Sequence, residues 1–426
     1  LATVLAHQHA HRQDDRPLDD VGEALAHVAA RALVAADPGP VGLELEAHLV
    51  DRHTPGARVP WARITRLVAG LAPLPGGSRV TLEPGGQVEL SGPPYGDVAA
   101  AVAALRTDSA ALARALAADG LALAALGTDP LRPASRVSPG PRYLAMEQHF
   151  AAIGCPGAGA AMMTSTASLQ VNLEAGPAAG WVDRVGLAHA LGPVLVAVSA
   201  CSPWLQGRDT GWVSGRQQVW GDLDQARCGP LLGRGDPADE WAEYALAAPV
   251  MLVRFTDAGG AEPVTGPVSF ADWVRGRPEL GGRRPTAADL DYHLTTLFPP
   301  VRLRGFLEVR YLDAAPEPWW PALAAVTATL LDDPVAADLA AAACAPVAGR
   351  WDDAAHHGLT DPDLHTAATA CLAAVADRVP PALRPEVHAL AELVAAGRSP
   401  GDAVADTARA AGPAAALLAA CPEEDS

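Results

Sequence analysis

Two glutamates stand two residues apart in an apolar run, Gly42-Leu43-Glu44-Leu45-Glu46. In an extended strand successive side chains point to opposite faces, so both carboxylates share one face and both leucines the other. For one isolated run the ordinary explanation is a solvent-facing edge strand over a leucine core. The arrangement recurs, however. Glu83 precedes the turn Pro84-Gly85-Gly86, which can bring it across from Gln87, and Gln87 and Glu89 share a face of the following strand. Phe306-Leu307-Glu308-Val309-Arg310 sets Glu308 and Arg310 on one face. Ser168-Leu169-Gln170-Val171-Asn172 alternates in the same way.

If these strands belong to one sheet, Glu44, Glu46, Glu83, Glu89 and Glu308 line a common surface. Clustered carboxylates repel, and each is costly to bury alone. Divalent cations relieve both problems, and oxygen-only ligands favour Mg²⁺ or Mn²⁺ over zinc or copper. Two or more such ions beside arginines suit nucleotide phosphate chemistry. The 31 basic residues are all arginine, so neither a P-loop lysine nor a Schiff-base lysine is available. Arginine binds phosphate and carboxylate through its planar fork. Arg310 shares a face with Glu308. Arg216 and Arg227 bracket a Gly-, Gln- and Trp-containing stretch without clear periodicity, the kind of segment that often forms a binding loop. Other signatures are missing: Gly154–Ala160 is glycine-rich but does not fit GxGxxG, and there is no HExxH or GxSxG. His356-His357 reads as surface.

The elements that must position these residues follow from the same periodicities. A helix is expected over 21–36, a strand over 41–50, a hairpin from 79–83 and 87–90, and an alanine-rich helix over 97–119. A strand over 164–174, a helix over 181–200 and a strand over 301–311 follow. Residues 206–232 resist assignment. From about 319 onward the pattern is helical and broken by Pro and Gly. Strands mixed with helices, without strict βαβ alternation, predict an α+β fold around an antiparallel sheet. Residues 1–20 read as a flexible tail, with His7, His9 and His11 in it, and 21–426 as a single catalytic domain.

With 50% hydrophobic residues among 426, the chain has material for a sizeable core, mostly aliphatic because aromatics are only 5%. The net charge of −18 argues against nucleic acid and anionic membranes as general partners. Six scattered cysteines without a CxxC pair read as reduced thiols, so a cytoplasmic location is expected. No secretory signal is visible, and a chain opening on Leu1 leaves room for residues upstream. The apolar stretch Leu187–Leu205 is interrupted by His189, Pro193 and Pro203 and reads as a buried helix rather than a membrane span.

Together these motifs resemble the glutamate–cysteine ligases of the plant and actinobacterial type, in the glutamine-synthetase-like superfamily. The matching segments are VGLELE at 41–46, TLEPGGQVELSGPP at 81–94, TASLQVNLEAG at 166–176, SGRQQVWGDLDQARCGP at 214–230 and DYHLTTLFPPVRLRGFLEVRYLD at 291–313. GTDPLRP at 127–133 and GGRRPTAADLDYHLTTLFPP at 281–300 are most similar to the actinobacterial ligase of ergothioneine biosynthesis. The resemblance implies a curved antiparallel sheet with a concave active-site face, wrapped by helices: the glutamine synthetase/guanido kinase-like catalytic fold. It implies that Glu44, Glu46, Glu83, Glu89 and Glu308 hold two or three Mg²⁺ ions, with Mn²⁺ an alternative. Gln170 would be a metal or nucleotide ligand. Arg310 and Glu308 would be catalytic, with Arg310 stabilising transferring phosphate or a substrate carboxylate. Arg216 and Arg227 would lie near the glutamate and phosphate pockets.

The implied reaction is ATP-dependent ligation of L-cysteine to the γ-carboxylate of L-glutamate through γ-glutamyl phosphate. A hydrophobic or aromatic contact, with Trp204, Trp212 and Trp220 as candidates, would receive the thiol. Cys228, beside Arg227, is the first candidate for redox regulation. A ligase using a different amine and a non-catalytic glutamate or nucleotide sensor are the alternatives. The sequence leaves the oligomeric state open and is compatible with a monomer.

Overall fold

The structure, a computed structural model, describes residues 16–233, 235–255 and 260–422. The histidines at 7, 9 and 11, and most of the expected tail, lie outside the described residues. Residues 16–20 are anchored: Leu18 is buried, and its N–H donates to the Pro285 carbonyl at 2.9 Å.

The centre is an open antiparallel sheet of seven strands. They are β1 (Val41–Asp51), β2 (Arg79–Leu82), β3 (Val88–Ser91), β4 (Leu121–Ala124), β5 (Ser168–Glu174), β6 (Val301–Leu303) and β7 (Phe306–Asp313). The spatial order is β6-β7-β5-β1-β3-β2, with β4 also paired to β1. The expected α+β class and antiparallel sheet are therefore present. A register shift between Val309 and Leu312 marks a bulge in β7, which bends the strand.

The helices used below are α1 (Val21–Ala32), α2 (Val98–Ala117), α3 (Pro141–Ala152), α4 (Pro156–Ser165), α5 (Trp181–Ser199), α6 (Gly215–Gly221) and α7 (Trp319–Asp332). The leucine and valine face of the sheet packs against α2, α5 and α7. Leu43, Val171, Leu173, Leu307 and Val309 are all at most 1% exposed there. Burying one such side chain contributes roughly 1.5–3 kcal/mol, so these alternating residues fix the register: a one-residue slip would exchange the faces. From Ala178 to Ser199 the chain is long and apolar enough to cross a membrane by length and composition. In this fold the segment is a core helix, with Leu191, Val194 and Ala197 fully buried.

Three boundaries differ from the sequence expectation. The first helix ends at Ala32, where Leu33 turns extended, rather than at 36. Thr164 and Ser165 close α4 instead of opening β5, because the hydroxyls of Thr164 and Thr166 donate back to the carbonyls of Ala160 and Met162, at 2.8 and 2.6 Å. The run 301–311 is a hairpin turning at Arg304-Gly305, where Gly305 adopts φ 81°. Within the unassigned 206–232, Ser214 caps α6 and Asp224 caps a single turn, Gln225–Cys228.

Candidate active site

The polar face of the sheet forms the floor of a cavity of about 330 Å³. Register places Glu44 opposite Gln170, Glu46 opposite Glu89, Glu308 opposite Asn172, and Arg302 opposite Glu308. All five sequence-selected glutamates line the cavity, together with Gln170, Arg216 and Arg310.

The five carboxylates fall into two electrostatic classes. Burial, then the charges of Glu89 and Glu308, push Glu44 up to about 7. Burial, then Glu46 and Glu89, push Glu83 up to about 8. Glu46 and Glu89 are raised as well, chiefly by burial, although Arg216 and Arg310 oppose the shift at Glu46. Burial also acts upward on Glu308, but Arg302, Arg310 and Arg304 outweigh it and hold this carboxyl well below the usual range. Arg302 grips it through two nitrogens, and Arg304 and Arg310 approach to 3.2 and 3.4 Å. Four glutamates therefore share a site with too little positive charge, while the fifth carries its own counter-ions.

That imbalance tests whether the site suits divalent cations. Four converging carboxylates offer hard oxygen donors, their mutual repulsion is unrelieved, and the buried Asn172 Oδ1 lacks a hydrogen-bond partner. The donor set fits Mg²⁺ or Mn²⁺. Among the described residues no three His, Cys, Asp or Glu side chains already stand in a metal-ligating group. The carboxylates are steered individually: Ser168 N–H donates to Glu46 at 2.7 Å, Asn172 Nδ2 to Glu44 at 3.1 Å, and Thr81 Oγ1 to Glu89 at 2.9 Å.

The β2–β3 turn that presents Glu83 and Glu89 is held from below. Arg58 donates to Gly85 O at 3.0 Å, Pro133 O at 2.9 Å and Ser165 Oγ at 3.1 Å. Asp129, itself paired with Arg132 at 2.6 Å, lies 3.8 Å from Arg58. Gln87 Nε2 donates to Thr166 O at 3.0 Å. A Cβ on Gly85 would come within 2.3 Å of Thr164 O, so the turn can close on α4 only with glycine there.

The arginines separate. Arg310 Nη1 donates to Gln170 Oε1 at 2.8 Å, and Gln170 Nε2 approaches Glu46 at 3.4 Å, so Gln170 links the catalytic-candidate arginine to the acidic cluster. Arg216 Nη2 donates to Arg310 O at 2.8 Å. Arg227 does not reach the cavity. It is fully buried, paired with Asp224 at 3.2 Å, and donates to Thr296 O and Pro249 O at 3.1 and 2.7 Å. Its backbone carbonyl accepts from Phe298 N–H at 2.7 Å, so it fastens the 295–300 loop behind the cavity wall. The structure thus sets Arg227 apart from Arg216 and Arg310, which line the cavity. Among the tryptophans, Trp220 lines the cavity, whereas Trp204 and Trp212 do not. Arg302, Arg304 and Arg142 line it too and were missed. Arg302 and Arg304 alternate with Val301 and Leu303, so strand periodicity sets them on the face of Glu308 and Arg310, a signal that could have found them.

Two solved structures share the fold. One is a glutamate–cysteine ligase from Francisella tularensis in complex with AMP, with a TM-score of 0.56 and 14% identity over 91% of this chain and 88% of that chain. The other is a bifunctional glutathione synthetase from Pasteurella multocida, with a TM-score of 0.50 over 94% of this chain and 52% of that one. At that identity the likeness defines the class of fold alone. The sequence goes further. The profile of glutamate-cysteine ligase family 2 matches residues 40–420. Glutamate–cysteine ligase EgtA of Mycolicibacterium smegmatis is 57% identical over 397 residues, 93% of each chain. Its namesake from Mycobacterium tuberculosis is 54% identical over 406 residues, 95% of this chain and 94% of that one. A chloroplastic glutamate–cysteine ligase of Medicago truncatula is 31% identical over 59% of this chain and 49% of its own. The chain therefore belongs to glutamate–cysteine ligase family 2 and is an enzyme of that family.

Proposed function

We propose that the protein joins L-cysteine to the γ-carboxylate of L-glutamate, with ATP as phosphoryl donor, giving γ-glutamylcysteine, ADP and phosphate. The observation that carries this reading is the convergence of five carboxylates and the arginines at 216, 302, 304 and 310 on one cavity. Membership of the family supports it. The actinobacterial character of its motifs supports ergothioneine assembly as the pathway served. We place the enzyme in the cytoplasm, with six free cysteines in keeping with a reducing compartment.

Glu44, Glu46, Glu83 and Glu89 would hold the Mg²⁺ ions, with Glu308 at the arginine-rich edge of the set. When bound, Mg²⁺ neutralises phosphate oxygens and orients them for in-line transfer. The protein's own groups bind and orient. A γ-carboxylate oxygen of glutamate takes the γ-phosphoryl group, and the amine nitrogen of cysteine then displaces phosphate from the acyl carbon. Arg310 is fixed by Gln170 and Glu308 in reach of the charge that develops on the transferred group. Arg302 and Arg304 add positive charge at that edge. No protein nucleophile is required. Burial pushes the Cys228 thiol up to about 12, which keeps it protonated and inert.

The test is phosphate release from Mg·ATP and L-glutamate, with and without L-cysteine, in wild type and Glu46→Ala. Release that needs both amino acids and is lost in the variant is the expected result. Release that ignores cysteine would replace it with another amine, and no release with any amine would end the ligase reading.

A further inference from the structure

Asp313 closes β7, is 1% exposed and does not line the cavity. Its carboxylate gathers donors from two other segments. Cys201 N–H and Ser202 Oγ donate to Oδ2 at 2.9 and 2.6 Å, and Ser214 Oγ donates to Oδ1 at 3.0 Å. A carboxylate only accepts, so each serine commits its one proton to Asp313 and keeps its lone pairs for α6. Ser202 Oγ accepts from Arg216 N–H at 3.0 Å, and Ser214 Oγ, the N-cap, accepts from Gln217 N–H at 3.3 Å. The side chains of that first turn reach back to β7. Arg216 Nη2 donates to Arg310 O and Gln217 Nε2 to Tyr311 O, both at 2.8 Å. Arg216 Nη1 lies 3.8 Å from Asp313 Oδ1, which places an opposite charge beneath the guanidinium. The two carbonyls belong to the bulge. Val309 pairs with Val171 and Leu312 with Leu169, so Arg310 and Tyr311 together stand against Gln170. A bulge re-aims a side chain, and here Arg310 is the one that reaches Gln170 Oε1 in the cavity.

Resting on the ligase reading, we infer that Asp313 is a positioning residue for phosphoryl transfer. Through Ser202, Ser214 and the first turn of α6 it holds the β7 bulge in the shape that aims Arg310 at the cavity. The contacts form a circuit. Asp313 orients two hydroxyls, the hydroxyls fix the start of α6, and α6 grips the carbonyls of the two bulged residues. The circuit needs a carboxylate. An asparagine at 313 would bring an N–H₂ group into a site furnished with donors and would leave the Arg216 guanidinium without the charge beneath it. Arg310 acts on charge that develops during transfer, so misaiming it slows turnover and spares ground-state binding. A misplacement of about 1 Å in such a group costs on the order of a hundredfold in rate.

The experiment follows γ-glutamylcysteine formation below the unfolding midpoint of every variant. It measures kcat, and KM for ATP and for glutamate, in wild type, Asp313→Asn, Gln217→Met and the double variant. Asp313→Asn should lower kcat at least tenfold with both KM values within threefold of wild type. Gln217→Met, which releases the Tyr311 carbonyl, should lower kcat at least threefold with the same KM pattern. The double variant should fall within twofold of Asp313→Asn, because the two residues act through one circuit of contacts. A merely structural Asp313 would lower the unfolding midpoint and leave kcat of the folded enzyme within twofold of wild type, and that result would overturn the assignment. A loss confined to KM, or a double-variant loss equal to the product of the single losses, would overturn it as well. Should Asp313→Asn fail to fold, Gln217→Met and Ser214→Ala decide by the same criterion: kcat within twofold of wild type in both ends the proposal. A wild-type protein that forms no γ-glutamylcysteine would end the ligase reading and this role with it, whereas wild-type turnover with an indifferent Asp313→Asn removes the role alone.

Discussion

At the scale of single residues, Glu83 and Glu308 face one cavity yet differ in role. Glu83 has carboxylates for neighbours, and Glu308 has three arginines. We predict that Glu83→Gln weakens Mg²⁺ binding at least tenfold by calorimetry and lowers kcat/KM by about a hundredfold, as loss of metal-site support does. Glu308→Gln should instead leave buried guanidinium groups uncompensated, so its thermal midpoint falls by more than that of Glu83→Gln. Equal midpoints for the two variants would contradict the distinction. His293 gives a pH prediction away from the site. It is 2% exposed, its Nε2 is 2.8 Å from Ala245 O, and burial lowers its pKa to about 3. The unfolded chain takes up this proton near 6.5, and the folded chain does not until about 3. Stability is therefore lost as pH falls from 6.5 toward 3. A urea midpoint that declines over that window, less steeply in His293→Gln, is the expected result.

Secondary-structure elements position these residues, and the hairpin β2–β3 depends on a side chain outside the sheet. Arg58 reaches the carbonyls of Gly85 and Pro133. Arg58→Ala should loosen the turn and weaken Mg²⁺ binding by about tenfold, the usual effect of an outer-shell loss, with little change in far-UV CD. Undiminished Mg²⁺ affinity would remove Arg58 from the account. The alternation of Glu44 and Glu46 with Leu43 and Leu45 was legible because a strand buries one face and wets the other. The Glu83–Glu89 turn was legible from Pro84-Gly85-Gly86. Arg58 was not, because its partners, two backbone carbonyls, the Ser165 hydroxyl and Asp129, all lie more than 20 residues away and leave no periodic trace. The placement of Arg227 was equally illegible: its setting among Gly, Gln and Trp suggested a binding loop, and the structure pairs its charge inside the wall with Asp224 and two carbonyls.

For the molecule as a whole, the helical region after about 319 carries no cavity residue but completes the core. In α7 every residue from Trp320 to Leu331 is buried, and the helix packs on β5 and α2. A chain ending at 318 would expose that face of the sheet, so we predict that it is recovered insoluble. A soluble fragment with native far-UV CD would show the region to be dispensable. The expected single domain from residue 21 onward rests on the same shared core and would be tested by a single cooperative unfolding transition.

The most direct test of the central claim follows oxygen. L-glutamate labelled with ¹⁸O in its γ-carboxylate is incubated with the enzyme, Mg·ATP and L-cysteine, and the phosphate released is examined by mass spectrometry. If the cavity activates the γ-carboxylate by phosphorylation, each turnover transfers one labelled oxygen to phosphate, and γ-glutamylcysteine keeps the other. Unlabelled phosphate accompanying stoichiometric γ-glutamylcysteine would contradict a γ-glutamyl phosphate and, with it, the role assigned to the carboxylate and arginine face.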